Sequence, residues 1–230
     1  VSAAVSVLET APDRYDSTAE VNWVRLDTSV AGEHAQRDAA IKGVLHQADD
    51  LAADLDRMVV AQVEAARAGN ASDALAVSTS MKLLCATRIG PLGSERWNDV
   101  LDAMARAVLG PWSDVGRWFL GRPMMVTQND YLNELFNGDS GVVALDSDDE
   151  VRVAFPFGDR LRFVDRARLD TVEPNWAMTV HKSQGSEFDH VVVILPPPPM
   201  NLLTRELLYT AVTRAKKQVT LISMPESVEL

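Results

Sequence analysis

The sequence predicts an α/β fold in which one α/β domain is interrupted by a small all-β insert. Aliphatic and β-branched runs at 81–86 and 191–195 have the character of buried strands, and helical patterns lie around them. Between about 122 and 170 the pattern changes to short strands separated by turn sequences. The alternation of strands and helices resumes at Trp176, so the two outer parts are predicted to form a single domain.

Composition indicates a soluble globular protein. The chain has 230 residues, 47% of them hydrophobic and 24% charged, which is enough to bury one sizeable core or two modest ones. No apolar run approaches the roughly 18 residues of a membrane span, and no targeting signal is visible. The start at Val1 lacks a methionine, so we expect a fragment. The single cysteine, Cys85, lies in an apolar run, which predicts a buried thiol in a reducing cytoplasm.

The net charge of −11 opposes nucleic-acid binding, which usually leaves a basic footprint. The acidic excess is concentrated early, with a balance of −7 over residues 1–75 and −4 over residues 76–230. Any contact with nucleic acid is therefore expected to come from a few placed side chains and backbone amides.

The first third of the chain is predicted to be mainly helical. Alternation at 21–26 predicts an edge strand, and apolar spacing over 33–68 predicts a helix with a possible break near Gly43. Gly69 and Asn70 form a suitable helix stop. The histidines of this stretch, His34 and His46, have no metal-ligand partner at useful spacing and are predicted to be solvated.

A strand at 81–86 leads into a Gly- and Pro-containing loop at 87–93, and Ser94 is a candidate cap for the following helix. Thr87 and Arg88 would then stand at a helix N-terminus, where anions are favoured. An ordinary Gly/Pro turn explains the pattern equally well. The helix is predicted to bury the stripe Trp97, Val100, Leu101, Met104 and Val108.

The insert is predicted to be a small SH3-like barrel. Its strands are 122–127, 141–145, 151–155 and 160–164, and the segments between them are typical turn sequences. Three arginines are candidates for a local polar face, although a solvated strand face is favoured: Arg160, Arg162 and Arg166.

The polar segment 179–188 is the main candidate ligand loop, because it projects hydroxyl, amide and ammonium groups from a sheet edge between two apolar strands. Four prolines at 196–199 then predict an extended link. A helix capped by Thr204 follows, and Arg214 is predicted to lie near its carboxyl end. Residues 218–223 are predicted to form the last strand.

Several segments resemble motifs of known helicases. Residues 180–188, VHKSQGSEF, resemble motif V of superfamily 1 helicases, and residues 206–216, ELLYTAVTRAK, resemble motif VI. Residues 121–130 and 135–141 are similar to the segment that opens the SH3-like 2B domain in the RecD branch. Residues 83–93 resemble part of RecD domain 2A.

The chain is therefore identified as a member of the RecD family, the superfamily 1B helicases that form the alpha subunit of exodeoxyribonuclease V. The resemblance covers residues 75–223, and the preceding residues match only in helical character. It implies a RecA-like domain 2A, a P-loop NTPase-like sheet with helices, made from 1–120 with its acidic helical region and from 172–230, which carries motifs V and VI. It also implies an SH3-like β-barrel domain 2B at 121–171.

The resemblance implies a nucleotide site. Arg214 would be a catalytic arginine finger that also binds ATP, since an arginine can stabilise charge on the transferred phosphoryl group when domains close. The alternative is a cation that completes a helix dipole. Glu187 would approach the nucleotide sugar, and Gly185 would let the backbone come close.

The resemblance also implies contacts with single-stranded DNA, without base specificity, as a translocating motor requires. The candidates are Thr179, His181, Lys182, Ser183 and Gln184, with Thr87, Arg88 and Asn129 as further contacts. No metal ligand is predicted, because His181 has no second His, Cys or paired carboxylate at ligand spacing. Lys216 and Lys217 are predicted to be surface charges.

The sequence holds no Gly-x-x-x-x-Gly-Lys-Ser/Thr run, and no Asp-Glu pair ends a buried strand. We therefore expect ATP and Mg²⁺ to be bound mainly by a missing N-terminal RecA-like domain, and the fragment alone to be inactive. RecB and RecC are the expected partners in DNA double-strand break repair and recombination in the bacterial cytoplasm, with 5′–3′ translocation implied by the family. The alternatives are a subunit-docking or DNA-binding module without its own catalysis, and a stand-alone RecD-like helicase.

Overall fold

The computed structural model describes residues 20–27, 37–113, 116–197 and 204–227. The helices are α1 (Arg37–Gln47), α2 (Asp49–Arg67), α3 (Ala71–Ser80), α4 (Ser94–Leu109) and α5 (Arg205–Val212). The strands are β1 (Glu20–Arg25), β2 (Met81–Cys85), β3 (Pro123–Val126), β4 (Ser140–Leu145), β5 (Val151–Phe157), β6 (Arg160–Val164), β7 (Val172–Pro174), β8 (Ala177–Thr179), β9 (Phe188–Ile194) and β10 (Ala215–Ser223). His34 and the last two prolines of the predicted link lie outside the described residues.

Five strands form a parallel sheet in the order β1-β10-β9-β2-β8. All five residues of β2 are buried, and so are six of the seven in β9. Such continuous burial is typical of inner strands whose two faces are both covered. The predicted α/β class with a buried sheet is confirmed, and β1 lies at the sheet edge as predicted.

The other five strands form an antiparallel sheet in the order β6-β5-β4-β3-β7. Its core is a cluster of eight buried apolar residues: Met124, Val126, Leu135, Val143, Val153, Phe155, Val164 and Leu169. The four predicted strands are confirmed. The strand β7, at 172–174, was not singled out by the sequence because it has only three residues and contains Pro174; it pairs with β3 and lies just beyond the predicted boundary at 171.

The helices differ from the prediction in three places. The break between α1 and α2 falls at Ala48 rather than near Gly43, which lies inside α1. Gly69 ends α2 with a φ of +73°, and the Asn70 amide donates to the Ala65 carbonyl, so the predicted stop is confirmed. The same Asn70 also starts α3, a helix that the sequence pattern missed. Its side-chain oxygen accepts a hydrogen bond from the Asp73 amide.

The buried face of α4 also differs from the prediction. The predicted Val100, Met104 and Val108 are half-buried, and the fully buried residues are Trp97, Leu101, Ala105 and Leu109.

The chain divides into two compact units, here called the parallel unit and the antiparallel unit. The parallel unit contains residues 1–53, 79–97 and 177–230. The antiparallel unit contains 54–78 and 98–176, so it includes helical residues beside its strands. Within the described residues no helix is both long and apolar enough to cross a membrane.

A buried ion pair ties the antiparallel strands to α4 inside their unit. Arg122, at the start of the sheet, donates through Nε and Nη2 to the two carboxylate oxygens of Asp102 on α4. Trp176, at the exit of the sheet, donates through Nε1 to Asp102 Oδ1 at 2.8 Å, and its amide donates to Asn98 Oδ1 at 2.9 Å. One carboxylate therefore fixes both ends of the chain segment that forms the antiparallel sheet.

We expect Asp102→Ala to lower the free energy of unfolding by about 3–5 kcal/mol, because the Arg122 guanidinium would stay buried without its counter-charge. Chemical denaturation measures this cost. The exposed Asp148→Ala in the turn after β4 is the matched control and should change stability by no more than about 0.5 kcal/mol. Equal effects of the two substitutions would contradict a structural role for the buried pair.

Lys82 is a buried lysine in the middle of the parallel sheet. It is 2% exposed, and its ammonium lies 5.6 Å from the centre of the Phe188 ring. Burial lowers the pKa of Lys82 from 10.5 to about 7. The folded protein therefore holds this lysine largely neutral above pH 7, whereas the unfolded chain keeps it protonated up to about pH 10.

The contribution of Lys82 to the free energy of unfolding should therefore rise with pH between about 7 and 10, since the unfolded state binds the extra proton in that window. Relative to Lys82→Met, the wild type should gain about 1.4 kcal/mol for each pH unit, measured by denaturant unfolding at pH 7 to 9.5. The exposed Lys42→Met serves as the control and should run parallel to the wild type. Parallel curves for the wild type and Lys82→Met would show that burial does not discharge this lysine.

Candidate functional site

The predicted ligand loop is a crossover between two parallel strands. β8 ends at Thr179, β9 begins at Phe188, and both pair with β2, which lies between them. The segment 180–187 must therefore return from the carboxyl end of β8 to the amino end of β9. The predicted strand, polar loop and strand are confirmed, but the loop runs along the sheet instead of projecting from one edge.

Three candidate DNA contacts lie at the carboxyl end of the parallel sheet. Thr179 is in register with Cys85, the last residue of β2, and Thr87 and Arg88 follow directly after β2. Arg88 Nε donates to the Glu95 carboxylate at 2.8 Å, and both side chains are exposed. Thr179 is half-buried, as is Thr87.

The loop after β2 has the contacts of an ordinary turn. The amides of Ser94 and Glu95, at the start of α4, donate to the carbonyls of Thr87 and Arg88 at 3.0 and 3.1 Å. These amides are therefore occupied and do not point at an anion, so the turn explanation is favoured. A Cβ on Gly93 would lie 2.5 Å from the Arg88 carbonyl oxygen, so glycine is required for this close turn.

The first half of the crossover is a 3-10 turn at Val180–Ser183. His181, Lys182 and Gln184 are exposed and can reach a ligand. Ser183 cannot, because its fully buried hydroxyl donates to the Val180 carbonyl at 2.7 Å. This corrects the expectation for Ser183: its hydroxyl closes the turn and is not available to DNA.

A cleft of about 310 Å³ separates this turn from the amino end of α5. It is lined by Val180, His181, Gln184, Thr204, Glu206, Leu207 and Thr210. The sequence interpretation missed the α5 side of this cleft, since the contact joins segments that are more than twenty residues apart. The sequence signal for this side of the cleft was the spacing of Glu206 and Thr210, two polar residues four positions apart that lie on one face of a helix.

The second half of the crossover brings the three predicted nucleotide residues together. Gly185 has a φ of +90°, and no atom lies within 4 Å of the place that a Cβ would occupy, which leaves its backbone open to a close approach. Glu187 is exposed, with its carboxylate 3.7 Å from the Lys216 ammonium. The Arg214 carbonyl accepts from the Phe188 amide at 2.8 Å, which fixes Arg214 beside the amino end of β9.

Arg214 lies in the turn between α5 and β10, so the expectation that it lies within the helix is wrong. The helix ends at Val212 because the chain enters the sheet at Ala215, which pairs with Phe188. The guanidinium donates to the carbonyls of Thr210 at 3.2 Å and Ser186 at 3.4 Å, and to Thr213 Oγ1 at 3.2 Å. The contact with the Thr210 carbonyl, near the end of α5, is the interaction expected for the alternative role of Arg214, a cation that completes the helix dipole.

The described residues of the parallel unit include no acidic partner for the Arg214 guanidinium. All three acceptors of its guanidinium are neutral, and no ion pair of Arg214 occurs among the described residues. A partly buried cation with neutral partners, beside an exposed carboxylate and an open glycine, is a set of groups whose chemistry fits the phosphate and sugar of a nucleotide such as ATP.

Asn129 belongs to the antiparallel unit and is engaged within its own loop. Its Oδ1 accepts from the Asn137 amide at 2.9 Å, and its Nδ2 donates to the Tyr131 hydroxyl at 3.3 Å. Both ends of the amide therefore order the loop. Across the described ranges no group of three His, Cys, Asp or Glu residues could hold a metal ion.

A family model described as the UvrD-like helicase C-terminal domain matches residues 174–222, which include the crossover and Arg214. This segment is thus similar to the C-terminal domain of UvrD-like helicases. The particular relatives are RecD proteins. The chain is 44% identical over 167 residues to the RecBCD enzyme subunit RecD of Mycobacterium tuberculosis, an alignment that covers 72% of the chain and 28% of that protein.

A second relative is the ATP-dependent RecD2 DNA helicase of Deinococcus radiodurans, 34% identical over 138 residues, with 60% of the chain and 19% of that protein covered. The resemblance to RecD predicted from the motifs is confirmed by these relatives. The chain spans 28% of the length of the first. Among solved structures it resembles the Bacteroides Pif1 helicase in complex with ADP-AlF3 and ssDNA, with a TM-score of 0.38 and 16% identity, covering 71% of this chain and 48% of that one.

Removing the Arg214 side chain should cost little stability. Its hydrogen bonds are long and go to neutral acceptors that solvent can reach, so we expect Arg214→Ala to lower the free energy of unfolding by less than about 1.5 kcal/mol. Thermal or denaturant unfolding of the purified chain tests this, with Asp102→Ala as the strongly destabilised comparison. A loss as large as that of Asp102→Ala would assign Arg214 a structural role.

Proposed function

We propose that the chain is the C-terminal part of a RecD-type ATP-dependent DNA helicase, the alpha subunit of exodeoxyribonuclease V, which translocates 5′–3′ on single-stranded DNA in double-strand break repair and recombination. The observation that carries the proposal is the crossover segment. Its first half carries His181 and Gln184, and its second half contacts Arg214. One short segment would therefore contribute to both the DNA-binding surface and the nucleotide site.

The proposed catalytic role of Arg214 follows from its uncompensated charge. Hydrolysis of ATP with Mg²⁺, held mainly by an N-terminal RecA-like domain, would supply the free energy for movement. Arg214 would stabilise negative charge on the transferred phosphoryl group once that domain closes against this edge. Glu187 would accept a hydrogen bond from the ribose, and Gly185 would allow the backbone to approach.

The proposed DNA contacts are sequence-independent. His181, Lys182 and Gln184 offer exposed donors to the phosphate backbone, and Thr179, Thr87 and Arg88 would extend the contact from the carboxyl end of the sheet. Arg88 would have to exchange its Glu95 partner for a phosphate. Asn129 remains a proposed contact through the loop that it orders.

We further propose that residues 1–120 and 172–230 form the RecA-like domain 2A and that residues 121–171 form the SH3-like 2B domain. RecB and RecC are the proposed partners, and the cytoplasm is the proposed location, which is consistent with the buried thiol of Cys85. The chain is 32–45% identical to RecBCD subunits RecD and 34% identical to the RecD2 helicase, so a stand-alone RecD-like helicase is kept as the alternative function.

In the full-length protein, Arg214→Ala should reduce DNA-stimulated ATP hydrolysis by about 10³-fold or more while binding of a non-hydrolysable ATP analogue is retained. Lys217→Ala is the control: this exposed lysine pairs with Asp189 at 2.8 Å, and its loss should leave turnover unchanged. The 230-residue chain alone should show no DNA-stimulated hydrolysis. Unchanged turnover of Arg214→Ala would rule out the arginine-finger assignment.

A further inference from the structure

The loop between β3 and β4 presents large apolar side chains to solvent. Leu132 is 90% exposed, Tyr131 76% and Phe136 53%. The rings of Tyr131 and Phe136 meet edge to face with their centres 6.5 Å apart. We call these three side chains the aromatic loop surface. Single exposed apolar residues are common on soluble proteins, whereas a cluster of this kind marks a contact site.

The loop is ordered before any partner binds. The Asp130 carboxylate accepts hydrogen bonds from the amides of Leu132 and Asn133, both at 3.1 Å, and Asp130 and Leu135 form a backbone bridge. Leu135 is 3% exposed and belongs to the core of the antiparallel unit. A loop held in this way presents its side chains with little further loss of conformational entropy, which favours tight binding.

Arg162 on β6 fastens the loop to the rest of the sheet. Its guanidinium donates to the Asn133 carbonyl at 2.6 Å, pairs with the Glu134 carboxylate at 2.5 Å and lies 3.7 Å from the centre of the Phe157 ring. Glu134 adopts a φ of +52°, a conformation that these contacts maintain. The positive charge of Arg162 is thereby neutralised by a neighbour inside the loop.

The charge of the loop decides what kind of partner it fits. Residues 130–139 contain three carboxylates, Asp130, Glu134 and Asp139, and no Lys or Arg. Hydrogen bonds from Asn133 hold the pKa of Asp130 below its usual range, so that carboxylate stays charged at neutral pH. Nucleic-acid phosphates would be repelled here, whereas a protein surface with basic residues at its rim would be attracted.

We propose that the aromatic loop surface docks a neighbouring protein subunit through an apolar patch bordered by Lys or Arg side chains. Tyr131, Leu132 and Phe136 would fill that patch, and the carboxylates of Asp130 and Asp139 would face its basic rim, since Glu134 is already paired with Arg162. The inference rests on the proposed function, since it assigns a surface to the RecB–RecC assembly. It would make Asn129 a positioning residue, through its hydrogen bond to the Tyr131 hydroxyl, in place of the DNA contact proposed above for this residue.

Two substitutions of one exposed residue test the apolar and the electrostatic parts together. Binding of full-length protein to purified RecB–RecC is measured for Leu132→Lys and Leu132→Asp, which cannot disturb the core because this side chain is almost fully exposed. Leu132→Lys should weaken binding at least about tenfold, and Leu132→Asp should weaken it less, since an added carboxylate keeps the attraction. Wild-type binding should weaken as salt is raised.

Ala107→Lys, at an exposed position of α4, is the matched control and should bind like the wild type. The DNA-stimulated ATPase of each uncomplexed full-length variant should equal that of the wild type. Equal subunit affinity of Leu132→Lys and the wild type would overturn the docking assignment, as would a Leu132→Lys variant that gains affinity for single-stranded DNA and keeps its subunit affinity. Failure of the wild type itself to bind RecB–RecC would instead remove the partner part of the proposed function.

Discussion

The crossover between β8 and β9 joins two parallel strands with only eight residues, and the arrangement of the parallel unit depends on it. In the register of the sheet Thr179 is level with Ile194, so the chain must travel back six residues of strand, about 20 Å, and across two strand spacings, about 10 Å. Eight residues make this return, four of them in the 3-10 turn at Val180–Ser183, and the Ser186 amide then donates to the Ser183 carbonyl at 3.0 Å. The segment is thus a pair of consecutive hydrogen-bonded turns held between two strands.

The packing of the 3-10 turn explains which side chains are exposed. Val180 and Ser183 face inward and are buried, so the turn packs on the sheet and on α5, and His181, Lys182 and Gln184 are turned outward. Gly185 then takes a φ of +90°, which redirects the chain toward β9 at a place where a side chain would be strained. The two ligand faces of the proposed helicase are therefore consequences of one packing constraint.

Local patterns predicted the elements, and nonlocal contacts decided what the sequence missed. The strands at 81–86 and 191–195, the Gly69 stop and the Thr204 cap were predictable because each depends on neighbours in the chain; Thr204 Oγ1 accepts from the Leu207 amide at 3.2 Å. The end of α5 was not predictable from local patterns, since pairing of Ala215 with Phe188 overrides the helical pattern. Motif resemblance gathered Gly185, Glu187 and Arg214 correctly into one region, but it could not show that the Ser183 hydroxyl is buried or that Glu206 shares a cleft with His181.

The contacts of Arg214 connect the proposed nucleotide site with the residues proposed to bind DNA. The Arg214 carbonyl accepts a hydrogen bond from the Phe188 amide, and the Arg214 guanidinium donates to the Ser186 carbonyl. The second half of the crossover is therefore bonded to Arg214 at both of these residues. In the proposed helicase, recruitment of this guanidinium to a phosphoryl group would release Ser186 and Thr210 together. The Ser186 amide also donates to the Ser183 carbonyl at 3.0 Å, so a displacement at Ser186 would be passed to the 3-10 turn. That turn carries His181 and is followed by Gln184, the side chains that would contact the DNA backbone.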